Sequence, residues 1–140
     1  MAVNPLGFVE YNDFGNPRVV TGHAMEVISG GQFVSVSGAS DGIGSGISSI
    51  ASTDVKFFVS TTDTNVAGVA TQNTASGTAL GAVVDGMVIM RAGEDTTNGQ
   101  VIMADAGADS VEPASAGSEV IGRAYSTGTS GNYVLVNLRI

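Results

Sequence analysis

The stretch FVSVSGASDGIGSGI, Phe33 to Ile47, decides between two fold classes. Its letters match a dinucleotide-binding turn, in which a strand leads through Ser37 to glycines at Gly38, Gly42 and Gly44. Such a turn needs a buried parallel strand before it and an amphipathic helix after it, because the helix N-terminus must face the phosphates. Here the strand alternates apolar and polar residues, and the following SGISSIASTD is too rich in Gly, Ser and Thr for a three-turn helix. We therefore predict an antiparallel strand followed by a glycine-rich surface loop, which could touch a neighbouring subunit.

The other parts of a dinucleotide enzyme are also missing from the sequence. Asp63 has the spacing of a ribose-binding carboxylate, but its surroundings, STTDTN, are typical of a turn. Lys56 is the only lysine, and no tyrosine lies four residues before it, so a Tyr-x-x-x-Lys catalytic pair cannot form. We expect no dinucleotide cofactor.

Short strands separated by turn residues continue along the chain from Arg18. In NYVLVNLR, for example, Tyr133, Leu135 and Asn137 alternate with three apolar residues. Runs of period two bounded by SGG, DG, NG and SG are typical of hairpins. We predict strands at about 18–21, 24–28, 32–37, 55–60, 66–71, 80–92 with a break at Asp85-Gly86, 100–104, 119–125 and 132–139.

Composition favours the same fold class. The 43% hydrophobic residues are mainly Val, Ala and Ile, which suit strands, and the 20 glycines imply frequent turns. Only 43–51 and 114–120 could hold a turn or two of helix. Strands without intervening helices predict an all-β fold, a small antiparallel barrel or sandwich formed as one domain by residues 18–140.

Residues 1–17 differ from this pattern. Phe8, Tyr11 and Phe14 lie three apart between Pro5 and Pro17, and the density of Gly and Pro predicts an extended arm. The three aromatic residues either hold the arm against its own domain or contact a neighbouring subunit. The sequence leaves both alternatives open.

The charge pattern excludes some partners. The net charge is −8, and the five cations, Lys56 and four arginines, are too few and too scattered for a stripe that follows phosphates. We therefore expect neither nucleic acid nor an anionic membrane surface as a partner. No run of apolar residues has the length of a signal peptide or a transmembrane span, which predicts a soluble chain made in the cytoplasm of the producing cell.

Candidate catalytic and metal-binding groups are sparse. The chain has no cysteine and one histidine, His23, and no serine lies in a Gly-x-Ser-x-Gly turn between a strand and a helix. The acidic pairs Glu94-Asp95 and Asp105 with Asp109 lie among turn residues, and ADAGADS lacks the spacing of a calcium loop. We expect no catalytic, cofactor or metal site, and only a weak cation site near Asp105 and Asp109 stays open.

The order of segments after residue 66 resembles a known family. VAGVAT, AVVDGMVIMRAGE, NGQVIMADAGADSVEPA and GSEVIGRAYSTGTSGNYVLVNL follow one another as in the small capsid decoration, or head-stabilising, proteins of tailed viruses. The residues that match the closing phrase of that family are Gly117, Gly122, Ala124, Gly131, Val134, Val136 and Leu138. The resemblance covers about 66–139.

This resemblance implies a β-barrel or tulip-like domain that forms homotrimers on the outer capsid surface of the virion. It implies the major capsid protein and other copies of the chain as partners, and no catalysis or cofactor. By analogy, Phe8, Tyr11 and Phe14 are the candidate contacts with the capsid or a neighbouring subunit. The alternative is a tail, fibre or surface module that binds a carbohydrate or another partner.

Overall fold

A computed structural model describes residues 11–12, 17–36 and 55–140. The described residues form strands and turns, with no helix among them, so the all-β fold class is confirmed. They contain no helix that is long and apolar enough to cross a bilayer. The strands are β1 (Tyr11–Asn12), β2 (Arg18–Ala24), β3 (Phe33–Val36), β4 (Lys56–Val59), β5 (Gly68–Ala70), β6 (Ala79–Arg91), β7 (Val101–Asp105), β8 (Ser110–Pro113), β9 (Val120–Ala124) and β10 (Tyr133–Arg139).

Strand β6 is the longest strand and pairs with four others. Its first part pairs with β2 on one edge and β5 on the other, and its last part pairs with β1 and β10. The change of partners falls at Asp85 and Gly86, where the sequence predicts a break. Gly86 has a φ of 123°, and a Cβ there would lie 2.7 Å from the Cα of Pro17, so only glycine fits this point. The strand thus stays continuous while it passes from one group of strands to the next.

Two groups of five strands share β6. The first half, residues 18–84, forms a closed ring in the order β2-β4-β3-β5-β6 and back to β2. The second half, residues 86–139, runs β6-β10-β9-β7-β8, and Val111 of β8 returns to Ala92, just after β6, through an isolated bridge. The pair β2–β4 is parallel, so the sheet is mixed.

The two halves follow the same plan. Each half consists of five strand segments with the same order and pairing. In the first half these are β2, β3, β4, β5 and the first part of β6. In the second half they are the last part of β6, β7, β8, β9 and β10. Even the parallel pairing recurs, as Ala24 lies opposite Phe57 and Ala92 opposite Val111. Identical residues at equivalent positions are Val20/Val88, Ala24/Ala92, Glu26/Glu94, Gly31/Gly99, Gln32/Gln100, Val66/Val120, Gly68/Gly122, Ala70/Ala124, Ser76/Ser130 and Gly77/Gly131. The fold is therefore an internal duplication.

Four nine-residue loops, 24–32, 70–78, 92–100 and 124–132, repeat within this plan. Each begins with a fully buried alanine, and its eighth residue is a glycine with φ between 83° and 93°. The loops pair two by two. Gly31 and Gly77 donate backbone hydrogen bonds to Ala70 and Ala24, and the equivalent bonds run from Gly99 to Ala124 and from Gly131 to Ala92. We call them the paired loops.

Each half has its own core. The core of the first half holds Ala24, Ile28, Val34, Phe57, Ala70, Leu80 and Ala82. The core of the second half is larger, and besides its own strands it includes Phe33, Val66, Val69 and Val83 of the first half. These four side chains lie on the outer face of the first ring. That outer face is therefore buried against the second half.

Most predicted strands overlap the observed ones, with three differences. The prediction of a strand at 24–28 is wrong, because β2 ends at Ala24 and a paired loop begins there. Strand β8, with the sequence SVEP, was not expected. The possible helical turn at 114–120 is wrong, since a turn at 116–117 precedes β9, and the one at 43–51 lies outside the described residues.

Candidate interaction face

The aromatic residues predicted to make contacts are only partly described. The backbone of Tyr11 forms β1 and lies opposite Val88 of β6. Phe8 and Phe14 lie outside the described residues. The contact of these three residues with a capsid or a neighbouring subunit stays a prediction.

The strand before the glycine-rich stretch is antiparallel to both of its neighbours, β4 and β5. A dinucleotide-binding turn follows a parallel strand. The predicted antiparallel strand is therefore confirmed, and it does not fit such a turn. Ser37, Gly38, Gly42 and Gly44 lie outside the described residues. Asp63 accepts a hydrogen bond from the backbone N–H of Ala106 at 3.0 Å, which ties the loop before β5 to the β7–β8 turn.

The candidate catalytic histidine lies in β2, and the candidate cation-binding acids Asp105 and Asp109 lie at the two ends of the β7–β8 turn. His23 lies exposed in β2, with its backbone opposite Lys56. Asp109 accepts a hydrogen bond from Nε2 of Gln32 at 3.3 Å, and burial raises the pKa of its carboxyl group. In the part of the chain that the structure describes, no group of three or more His, Cys, Asp or Glu is placed to hold a metal ion.

The residues that carry the family resemblance occupy structural positions in turns, at a close contact between strands and in the core. Gly117 and Gly131 are turn residues with φ of 82° and 87°. Gly122 lies so close to β10 that a Cβ would overlap the backbone carbonyl of Asn137. Ala124, Val134, Val136 and Leu138 are all in the core of the second half. The resemblance therefore reports on the architecture, and partner binding must be sought in other residues.

The outer face of the second half presents a different set of side chains. We call the outward residues of β7, β9 and β10 the arginine face, which consists of Val101, Val120, Arg123, Tyr125, Asn137 and Arg139. With Gly122, they line a shallow groove of about 220 Å³. Val120, the first residue of β9, is 49% exposed, and Tyr125, which follows β9 directly, is 51% exposed. The groove therefore exposes large apolar groups beside its arginines.

The alternation of the strands produces this face. In β10, Val134, Val136 and Leu138 point into the core while Tyr133 and Arg139 point outward. The register places Arg123 between Val101 and Asn137 on the neighbouring strands. A continuous row of side chains therefore crosses β7, β9 and β10 on the solvent side.

Comparison of the two halves shows what is unusual about the arginine face. Val101, Val120, Arg123 and Asn137 correspond to Phe33, Val66, Val69 and Val83. In the first half these positions are at most 4% exposed, because the second half covers them. In the second half no described residue covers them. The outer face is thus buried in the first half and exposed in the second half, although both halves have the same architecture.

Three arginines lie in or next to the arginine face. Arg91, Arg123 and Arg139 are three of the five cations of the protein. Arg123 donates a hydrogen bond from Nη1 to the backbone carbonyl of Gly99 at 2.6 Å. Among the described residues, none of the three arginines forms an ion pair with a carboxylate. Arg123 and Arg139 are exposed and give the arginine face its positive charge.

Acidic side chains collect around β8. We call Asp63, Glu94, Asp105 and Glu112 the acidic rim. Burial raises the pKa of Glu112, and the nearby carboxylates of Asp105, Glu94 and Asp63 raise it further. Glu94 also lines a wide depression with Asp95, Pro113 and Ser130. The rim is therefore a region of like charges that a cationic partner would stabilise.

Sequence reasoning missed both surfaces. The signal for the arginine face is the outward half of the alternation in VIGRAY and NYVLVNLR, where Arg and Tyr stand among Val and Leu. The acidic rim carries no such signal, since its members come from four separate segments that only the fold brings together.

Comparison with known proteins gives one informative result. No protein-family model matches the chain, and no curated protein matches it. Among solved structures, the chain is similar to the N base of the head fiber gp8.5 of bacteriophage phi29, with a TM-score of 0.59. The two are 15% identical, and the match covers 87% of this chain and 93% of that one. At this level of identity the similarity shows a shared fold.

Proposed function

We propose that the protein is a non-catalytic structural component of a tailed-phage head. In this proposal it binds the outer capsid surface as trimers and stabilises the shell across junctions between major capsid proteins. The observation that carries the proposal is the fold shared with the base of a phage head fiber over 87% of this chain. The sequence resemblance to capsid decoration proteins over about 66–139 points to the same class of virion protein.

The proposed mechanism is mass action. Each copy that binds across a seam between capsid subunits adds contacts that exist only in the assembled shell, and so favours that shell. A trimer engages three equivalent sites at once, which makes its binding much tighter than that of a single copy. The acidic net charge suits a protein displayed in many copies on the outside of a particle.

The direct test is binding to phage heads that lack this protein. Purified protein should bind saturably, with a fixed number of copies per head, and decorated heads should withstand higher temperature before they release DNA. Sedimentation measures the binding, and dye access to the DNA measures the release. If the protein neither binds nor changes head stability, the proposal is wrong.

The N-terminal arm is our proposed capsid contact. Removal of residues 1–10 keeps Tyr11 and Asn12, whose backbone pairs with β6, so the fold should remain. We expect this variant to bind heads more weakly, and Phe8→Ala with Phe14→Ala to reproduce most of the loss. Unchanged affinity in both variants would exclude the arm from the contact.

A glycan-binding fibre module is the second candidate, favoured by two exposed aromatic side chains. Tyr125 is 51% and Tyr133 is 39% exposed on the outer face of the second half, and exposed aromatic rings are common partners of sugars. A glycan array is the test. Binding that is lost in Tyr125→Ala and Tyr133→Ala would support this candidate, and an array without signal would exclude it.

A further inference from the structure

The internal duplication identifies the arginine face as a packing surface of this architecture. The equivalent face of the first half is covered by the second half through Phe33, Val66, Val69 and Val83. Among the described residues, nothing covers the equivalent face of the second half. The exposed Val101, Val120 and Tyr125 are what remains of the apolar contact surface.

The charges indicate what covers this face. Arg123 and Arg139 stand where the first half has Val69 and Asp85, and neither is paired with a carboxylate among the described residues. The complementary charge is present on the same molecule, in the acidic rim around β8. Arg123 and Arg139 lie in β9 and β10, whereas Glu112 lies in β8 and Asp105 at the end of β7. Each copy can therefore present both surfaces at the same time.

We propose that copies of this chain assemble head to tail in a ring of three, with the arginine face of each copy packed on the acidic rim of the next. This inference rests on the trimer of the proposed function and assigns its interface. A ring with three-fold symmetry requires two different, complementary surfaces on each copy, and this is the arrangement that the second half offers. The exposed valines and Tyr125 supply apolar contact, and the arginines select the acidic surface.

Charge reversal of each surface tests the assignment. The face-reversed variant carries Arg123→Glu and Arg139→Glu, and the rim-reversed variant carries Glu94→Lys and Glu112→Lys. Sedimentation equilibrium should show that each reversal raises the concentration of half-dissociation of the trimer by about tenfold or more. Arg18→Glu, an exposed arginine of β2, is the matched control and should leave the trimer unchanged. Circular dichroism confirms that each variant is folded.

Combining the reversals tests the head-to-tail geometry. In a chain that carries all four substitutions, the two introduced glutamates face the two introduced lysines of the next copy, so its trimer should form again. An equimolar mixture of the two reversed variants should stay dissociated, because a ring of three must contain at least one contact between two identical chains. A two-fold dimer would instead form in the mixture, since both of its contacts would then be complementary.

The outcomes separate this inference from the proposed function. Loss of the trimer on each reversal, with recovery in the fourfold variant alone, supports the inference. A trimer that survives both reversals, a mixture that assembles, or a wild-type chain that is monomeric at all concentrations overturns it. Head binding is measured on the same samples, so a monomer that still binds heads would refute this interface while the capsid-binding proposal stands.

Discussion

Single glycines fix the contacts between strands in this fold. A Cβ on Gly122 would overlap the backbone carbonyl of Asn137, whereas a Cβ on the equivalent Gly68 would lie 3.0 Å from its nearest neighbours, and Gly107 has open space around it. We expect Gly122→Ala to destabilise the protein by about 3 kcal/mol and Gly68→Ala by about 1 kcal/mol, since overpacking against backbone cannot relax easily. Gly107→Ala is the control and should change stability by less than about 0.5 kcal/mol. Urea unfolding measures all three, and an equal effect of the three substitutions would contradict this close approach.

The carboxyl group of Glu112 makes stability depend on pH. Its pKa is raised in the folded state by burial and by the neighbouring carboxylates, so the folded protein binds this proton more tightly than the unfolded chain does. The proton on Glu112 therefore stabilises the folded state at pH values below the pKa that this group has in the unfolded chain. This stabilisation is lost as the pH rises through the pKa of the group in the folded protein. Glu112→Gln should therefore raise the Tm at pH 7 by about 1–3 °C and have a smaller effect at pH 4.

The control is Asp85→Asn, whose register neighbours are Arg18 and Arg139, and which should not raise the Tm. A Glu112→Gln effect that is the same at both pH values would argue against a shifted carboxyl group.

At the scale of elements, alternation of apolar and polar residues was enough to predict most strands. It failed at β8, where SVEP is short and ends in proline, and at 24–28, where apolar residues of a paired loop imitate a strand. The sequence also did not reveal the duplication. Residues 37–55 connect β3 with β4, whereas 106–109 connect β7 with β8, so equivalent positions do not recur at one fixed spacing.

The paired loops depend on glycines that adopt a left-handed backbone conformation. Gly99 has a φ of 93°, and a side chain there would meet nothing within 4 Å, so the cost of substitution is conformational and not steric. Gly99→Ala should destabilise the protein by about 1 kcal/mol, and Gly99→Asn by less, because asparagine tolerates this region better than alanine does. Chemical unfolding of the two variants measures the difference. If asparagine proves no better than alanine, the left-handed conformation is not what requires glycine at this position.

At the scale of the whole molecule, the sequence predicted the fold class but not the surfaces. The arginine face is a property of register, since Arg123 is aligned with Asn137 and Val101 only when β9 lies between β10 and β7. The acidic rim joins residues from distant segments. Both therefore require the topology, which the alternation pattern of single strands does not specify.

The two halves should unfold as one unit, because the core of the second half includes side chains of the first. Phe33 is fully buried in that shared core, so Phe33→Ala should cost about 3–5 kcal/mol. Val36, in the same strand but 54% exposed, is the control, and Val36→Ala should cost less than about 0.5 kcal/mol. Hydrogen exchange followed by NMR locates the effect: in Phe33→Ala, amides of β9 and β10 should lose protection together with those of β3 and β5. Loss confined to the first half would show that each ring is stable alone. A joint loss would mean that the outer face of the first half is a folding interface, whereas no described residue covers the equivalent arginine face of the second half.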